Sequence, residues 1–517
     1  MDKHEERYMW MALSVVIVGT FMSILDSSIV NVAIPKMMTV FGASTDQIEW
    51  VVTGYMLTMS IVIPLTGYLG DRFGIKRLYI MSLIIFTAGS ALCGLSVSTQ
   101  TMIAARVVQA IGGGMIMPVG MAMIFMIVPI EKRGVALGVW GISAMAAPAI
   151  GPTLSGYIVQ YLDWRLIFTI NVPVGIIGTT LAILLLKETE IHENKKFDFI
   201  GAITSAIGLF TLLLALDQGN SKGWTSTYEI VLFAISILSI VCFIYQELTY
   251  EQPLLDLRVL KNGSFSISLV VSTITTIGMY GALFLIPIYM QNIRGYTPME
   301  SGLLSLPMAI VTGIMMPISG KLFDKFGAKW LTIIGLAILS GASFMLSKLT
   351  LETSYTVILL IMMVRGLGMG MSMMPVQTNG MNSIPRDQSG RATALNNTLR
   401  QVSASLGIAV LTTIFQNREV FHTERLSEAV NLTSPTVVAA QNNFAALAVK
   451  NGMSLSAVKS GIFMQIYTQL VKMAAVGGIN DALLVSSFIC LFGIPVAFFI
   501  KKAAAPEGEK SENFIGE

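Results

Sequence analysis

Fourteen stretches dominated by apolar residues alternate with short polar, charged segments. They run over 11–34, 47–69, 78–97, 101–128, 135–159, 165–186, 199–217, 229–247, 264–290, 299–319, 330–347, 354–380, 391–416 and 479–500. A helix needs about 20 apolar residues to cross a bilayer. Inside hydrocarbon, backbone groups must pair within their own segment, so such runs become helices. The pattern predicts an all-α integral membrane protein with fourteen spans. The first run is too long for a cleavable signal, and no small-residue cleavage site follows it. Composition removes the main competitor. Hydrophobic residues make up 54% of the 517 and charged residues 12%, against about 25% charged in soluble domains. A soluble enzyme is thereby excluded, and no nucleotide-binding motif suggests an ATP-driven pump. A net charge of +3 gives no reason to expect a nucleic-acid partner.

The charges are more informative by position than by sum. With the N-terminus inside, the inside segments carry Lys3, Arg7, Arg72, Lys76, Arg77, Lys132, Arg133, Lys187, Lys195, Lys196, Arg258, Lys261, Lys321, Lys325, Lys329, Arg386, Lys501 and Lys502. The short outside loops carry Lys36, Arg165, Lys222, Arg294 and Lys348, one each. Basic residues concentrate on the cytoplasmic side of membrane proteins, so both termini are expected in the cytoplasm, as an even number of spans requires. Segment 417–478 is then outside. Its apolar spacing over Val437–Val449 and Leu455–Val471 suggests amphipathic helices lying on the outer surface, either a lid or a passive loop.

The loop after the second run, Gly67–Arg77 (GYLGDRFGIKR), is echoed at Gly320–Trp330 (GKLFDKFGAKW). Gly67, Leu69, Asp71, Phe73, Gly74 and Lys76 match Gly320, Leu322, Asp324, Phe326, Gly327 and Lys329 at a constant offset of 253. Pro35, which ends the first run, has Pro287 late in the ninth, and Arg106 with Pro118 has Arg365 with Pro375. Spans 1–6 therefore repeat as spans 9–14, a parallel duplication of the kind built into secondary transporters. Spans 7 and 8 have no echo and read as an inserted hairpin. The expected organisation is a six-helix bundle over 1–190, the insertion with its linkers over 191–262, and a second six-helix bundle over 263–517. The last includes the loop 417–478 and a cytoplasmic tail, 501–517.

Ionisable groups deep in a span are costly and usually functional. Asp26 is the one carboxylate well inside a run; Glu49, Asp217, Glu247, Glu300 and Asp481 fall near predicted ends. Counting helical rise from the outer ends puts Asp26 roughly 12 Å and Arg106 roughly 8 Å deep, so the two could pair. Asp26 reads either as a coupling group or as a permanently ionised structural partner. Arg365 and Arg400 are also deep, and each reads as functional or as a helix lock on backbone carbonyls. Asn31, Gln109, Gln377, Asn396, Asn397 and Arg400 are candidate cavity-lining groups. The fifth run holds Gly138, Gly141, Gly151, Pro152 and Gly156 among alanines, which suits a close helix–helix seal or ordinary packing. Gly67, Asp71, Arg72, Gly74, Arg77, Asp324 and Gly327 are candidate gating-loop residues. Gly74 and Gly327 would supply left-handed turns, and Asp71 would accept from helix amides or a neighbouring arginine. Methionines cluster at Met115–Met126 and Met369–Met374; they are soft walls for varied ligands or lipid-facing filler. The three cysteines and three histidines show no metal-ligand spacing, so no metal site is expected.

Taken together these motifs resemble the major facilitator superfamily, in its fourteen-helix drug:proton antiporter branch of Emr/Qac-type multidrug exporters. GYLGDRFGIKR resembles the signature between helices 2 and 3. LDSSIVNVAIP, RVVQAIGGGMIMP, DWRLIFTINVPVG and PLLDLRVLKN resemble further motifs of that branch. The fifth-run sequence resembles its antiporter motif, with Ala147 and Ser155 where glycine is usual. The resemblance implies a non-enzymatic transporter in a bacterial cytoplasmic membrane, exporting drugs or other amphipathic, cationic small molecules, with the proton gradient in place of any cofactor. Asp26 would couple proton and substrate, Arg106 would assist, and the fifth-helix glycines would seal against leak. Burial favours a neutral carboxylate and a nearby arginine a charged one, so a proton and a cation could compete at Asp26. An exporter of an endogenous metabolite, siderophore or peptide is the alternative. A proton symporter and a transport-dead sensor are alternatives from other classes. Neither a periplasmic adaptor nor the oligomeric state follows from the resemblance.

Overall fold

In a computed structural model, residues 3–188, 196–385, 388–429 and 455–501 are described. Thirteen described helices are long and apolar enough to span a membrane, fourteen with one bent pair. The first bundle comprises α1 (Lys3–Phe41), α2 (Thr45–Val62), α3 (Leu65–Phe73), α4 (Ile75–Gly94), α5 (Thr99–Ile127), α6 (Ile130–Tyr161), α7 (Leu166–Thr169) and α8 (Asn171–Leu185). The hairpin is α9 (Phe199–Lys222) and α10 (Thr227–Thr249). The second bundle is α11 (Gly263–Ile288), α12 (Pro298–Phe326), α13 (Ala328–Leu346), α14 (Tyr355–Asn382), α15 (Ser389–Ala429) and α16 (Leu455–Ala497).

Local chemistry differs at the two ends of the bundle. The end carrying Arg72, Lys76, Arg77, Lys325 and Lys329 is the basic end; the other is the far end. Helices α2, α5 and α12 start at the far end on Ser44, Ser98 and Thr297, each closing a capping box with Gln47, Thr101 or Glu300. Such boxes satisfy amides that helix starts leave unpaired. At the basic end α3–α4 and α12–α13 turn on Gly74 (φ 86°) and Gly327 (φ 76°), the left-handed backbone that glycine adopts freely. The second predicted span is broken, with α2 and α3 meeting at 55° around Pro64.

Two sequence expectations are corrected. Pro35 does not end the first span, because α1 continues through it to Phe41; bundle neighbours let membrane helices absorb a proline. The segment after residue 416 is not laid on the surface where it is described. Helix α15 runs unbroken to Ala429 and α16 starts at Leu455, so both spans continue past the predicted edges. Asp481 pins the extension, accepting from Arg418 Nε at 2.5 Å and pairing with His422 Nε2 at 2.9 Å. Val437–Val449 lies outside the described residues.

The core is continuous between the bundles at the basic end, where Tyr79, Phe86, Met121 and Phe125 pack in one cluster with Met374, Met381 and Leu395. At the far end it divides. Ile29, Met37, Trp164 and Phe168 form one cluster and Tyr289, Leu346, Met362 and Leu411 another. The hairpin is not peripheral at this end. Leu213, Leu214 and Leu216 of α9 pack with Leu57 of α2 and Ala409 of α15. Asp217 accepts from Thr53 at 3.0 Å and Asn220 from Thr413 at 2.8 Å. Thus α9 touches both bundles across the seam, while α10 turns Ile237, Leu238 and Val241 outward.

Candidate functional site: a buried carboxylate and a basic-end lock

Five helices of the first bundle, α1, α2, α4, α5 and α8, contribute to the network around Asp26. Its Oδ2 accepts from Arg106 Nη1 of α5 at 2.6 Å. Its Oδ1 accepts from Gln109 Nε2, one turn along α5, and from Asn171 Nδ2 of α8, each at 2.8 Å. Asp26, Arg106 and Gln109 are no more than 1% exposed. Arg106 spends its other donors inward: Nε on the Val51 carbonyl at 3.1 Å, Nη1 also on Gln109 Oε1 at 2.6 Å. Its guanidinium lies 3.8 Å from the Tyr55 ring centroid, close enough for a cation–π contact. Gln109 further donates to Ser90 Oγ at 2.7 Å. A buried ion pair is retained only when such hydrogen bonds complete it. Oδ1 already accepts two bonds and Oδ2 one, so a proton on Oδ1 would displace an amide, and one on Oδ2 would neutralise the charge that Arg106 pairs with.

The duplicated position carries no acid. The counterparts of Asp26, Ser90, Arg106 and Gln109 in the second bundle are Met279, Ser343, Arg365 and Gly368. Arg365, 1% exposed, donates to Ser343 Oγ at 2.7 Å and to the carbonyls of Met279 at 3.0 Å and Gly278 at 3.4 Å. It is the helix-locking arginine among the two readings.

The candidate cavity residues separate. Gln109 belongs to the Asp26 network. Asn31 is exposed on α1. Asn396 and Asn397 are buried, Asn397 donating to its own helix at Thr393. Gln377 and Arg400 meet the first bundle through methionine sulfurs, Gln377 Nε2 on Met121 Sδ at 2.9 Å and Arg400 Nη2 on Met117 Sδ at 2.8 Å. Those methionines line the seam between bundles rather than facing lipid.

At the basic end, Asp71 accepts from Arg391 Nε of α15 at 3.3 Å, and Arg391 Nη1 also holds Asp256 at 3.0 Å. Gly67 lets α15 approach; a β-carbon there would stand 3.2 Å from Arg391 Cα. In the echo, Gly320 meets Gly134 of α6, where a β-carbon would be 2.3 Å from the Gly134 carbonyl oxygen. Each repeated glycine thus faces the fifth helix of the opposite bundle. Arg133 adds a bond to Asn382 across the seam at 2.9 Å. Arg72 donates to Tyr68 at 3.0 Å, and Arg77 makes an exposed pair with Glu188 at 3.3 Å, a contact worth little in water. The Asp324 side chain lies outside the described residues.

The fifth-helix glycines divide by partner. Gly138 is pressed on Pro317 of α12, and Gly141 on Met316. Gly151 instead abuts Ser28 of α1, two residues from Asp26. Gly156 has room: a β-carbon there would find its nearest neighbour, Met299 Cβ, at 3.9 Å. Pro152 packs beside Gly302. Sequence reasoning missed Asn171, Tyr55, Arg391 and Asp256. Asn171 had a signal, a lone amide within an apolar run; the others join segments remote in sequence.

Comparison with known proteins agrees with this architecture. The Major Facilitator Superfamily model matches residues 16–408. YhcA of Bacillus subtilis (strain 168), described as an uncharacterized MFS-type transporter, is 40% identical over 95% of this chain and 92% of its own. The multidrug export protein EmrB of Escherichia coli (strain K12) is 31% identical over 93% of each chain. In fold, the solved proton:xylose symporter XylE superposes with a TM-score of 0.60 at 14% identity, over 97% of this chain and 98% of XylE. On the family match and these relatives, the chain belongs to the Major Facilitator Superfamily and is a multi-pass membrane transporter, not an enzyme.

Proposed function

We propose that this transporter is a proton-coupled antiporter exporting drugs or other amphipathic small molecules, cations among them, across the cytoplasmic membrane of a bacterium. The observation that carries the reading is Asp26: a wholly buried carboxylate held by Arg106, Gln109 and Asn171. A proton on Asp26 removes the negative charge that a cationic substrate would need, and a cation there disfavours protonation, so the two compete. Ligands shift a two-state protein only by differential affinity for its states. The similarity to a multidrug exporter and the methionine-lined seam support a broad apolar substrate range. The proton gradient supplies the energy, with no cofactor. The division at 1–190, 191–262 and 263–517 accompanies this reading, with both termini and the basic end in the cytoplasm. In the conformation described, the basic end is shut.

The direct test is a substrate panel in everted vesicles with a pH dye inside. Substrate-driven proton efflux from the acidified lumen is the expected result; uptake without proton movement rejects antiport. Orientation has its own test. Glu428 is exposed on the far-end extension of α15, and a single cysteine there, in a cysteine-free chain, should react with an impermeant maleimide in intact cells. Reaction only after permeabilisation reverses the topology.

A further inference from the structure

Glu247 takes no direct part in the Asp26 network or the Asp71–Arg391 contact, although it is wholly buried at the end of α10. Its carboxylate accepts three successive backbone amides of the following linker: Leu254 at 3.2 Å, Leu255 at 3.0 Å and Asp256 at 3.1 Å. Asp198, 2% exposed, caps the start of α9, where Oδ1 accepts from Gly201 N and Gln246 Nε2, each at 2.9 Å. Its Oδ2 is buried without a partner. Both acids crowd Gly201. A β-carbon there would stand 2.5 Å from Asp198 Oδ2 and 3.2 Å from Glu247 Oε1.

The turn that Glu247 folds is strained. Asp256 has φ 47°, the one non-glycine residue at positive φ among the described residues. A side chain persists there only where its surroundings over-determine it. In this turn they do. The Glu247 carboxylate holds the Asp256 amide, Asp256 Oδ1 accepts from Arg258 N at 3.3 Å, and Oδ2 holds Arg391, which reaches Asp71. The chain of contacts from the hairpin to the gate is therefore continuous: Glu247, the 254–256 turn, Asp256, Arg391, Asp71.

We infer that Glu247 is a positioning residue of the gate, folding the 254–256 turn so that Asp256 grips Arg391 and the inserted hairpin shares control of the basic-end lock with Asp71. This rests on reading Asp71–Arg391 as a gate. The hairpin then has a task that explains why it bridges the bundles. At the far end α9 touches α2 and α15, and at the basic end its partner helix sets the geometry of the lock. A carboxylate offers this turn two acceptor oxygens; the amide of glutamine offers one for the three donors.

The experiment uses the full chain in lipid nanodiscs. Spin labels are placed at Leu184 and Trp330, 73% and 55% exposed near the basic end of opposite bundles. Cys242, the exposed cysteine, is replaced by alanine; Cys93 and Cys490 are buried. Pulsed dipolar distances then give the ratio of open to shut basic ends. Asp71→Asn should raise that ratio about fivefold, the scale of one partly exposed ion pair. Glu247→Gln should raise it similarly, and the double variant no further than the larger single, because both act through Arg391. Asp256→Asn should reproduce Glu247→Gln, since asparagine tolerates left-handed backbone but brings no charge to Arg391; it carries the test if Glu247→Gln fails to insert. Unchanged distances in Glu247→Gln and Asp256→Asn, with a shift in Asp71→Asn, overturn the inference and leave the gate standing. No shift in any variant overturns both. A double variant whose shift is the product of the singles overturns the shared route through Arg391.

Discussion

Asp26→Asn is expected to abolish uphill export while leaving a folded, inserted transporter. Asparagine keeps the shape and one acceptor, but it cannot exchange a proton. Gln109 and Asn171 both donate to Oδ1, so the new amide either turns its oxygen toward them and loses Arg106, or turns it toward Arg106 and loses both amides. Arg106 keeps Val51, Gln109 and the Tyr55 ring. Removing one partner of a buried pair typically costs about 3–5 kcal/mol; these surviving contacts place the loss at the lower end, visible as a lower Tm in detergent. Loss of a proton-transferring group is expected to cut pH-driven export at least about 100-fold. Substrate-induced proton release should vanish with it. Asp26→Glu should retain some export with a displaced pH optimum, because the acid survives one methylene away. Undiminished export by Asp26→Asn at matched expression would remove this residue from the coupling step.

The second large effect is expected at Gly138. A β-carbon there would stand 2.6 Å from Pro317 Cα and 2.7 Å from Pro317 N. Both are backbone atoms of a helix that cannot rotate a side chain out of the way. Gly138→Val must therefore push α12 from α6, at an overpacking cost of about 1–3 kcal/mol. That cost falls on the conformation in which these helices touch. Transport should fall at least about tenfold, and proteoliposomes should dissipate an imposed pH gradient without substrate, since the seal between bundles is the contact being opened. Gly156→Ala is the internal control, because its nearest neighbour is 3.9 Å away. Equal behaviour of the two variants would show that close approach at Gly138 is ordinary packing.

The spans were legible because each is a local property: a run long enough to cross hydrocarbon, ended by charge or a turn residue. The duplication was legible for the same reason, since Gly67, Asp71 and Gly74 and their echoes lie within one short loop. Depth alone suggested the Asp26–Arg106 pair, which helix counting can reach. What escaped were partners that only the assembled bundle supplies. Asn171 meets Asp26 from 145 positions away, and Arg391 meets Asp71 from 320. No periodicity records which helix faces which. Pro35 misled because a proline that would end a helix in water is tolerated among packed membrane helices. The end of α15 misled because polar residues beyond the bilayer can extend a helix as readily as end it.

The methionine at the second bundle's equivalent of Asp26 has an electrical consequence. Among the described residues of the two six-helix bundles, Asp26 is the sole buried carboxylate, while the equivalent place beside Arg365 is filled by backbone carbonyls. Under the proposed antiport, a cycle coupled through Asp26 alone would move one proton. Exchange of that proton for a monovalent cation carries no net charge, so the membrane voltage neither drives nor opposes it. Exchange for an uncharged molecule moves one positive charge inward. Each 100 mV then adds about 2.3 kcal/mol, roughly a 50-fold steeper limiting gradient at equilibrium. The same transporter would thus concentrate uncharged molecules with the help of voltage, and cations on the pH difference alone.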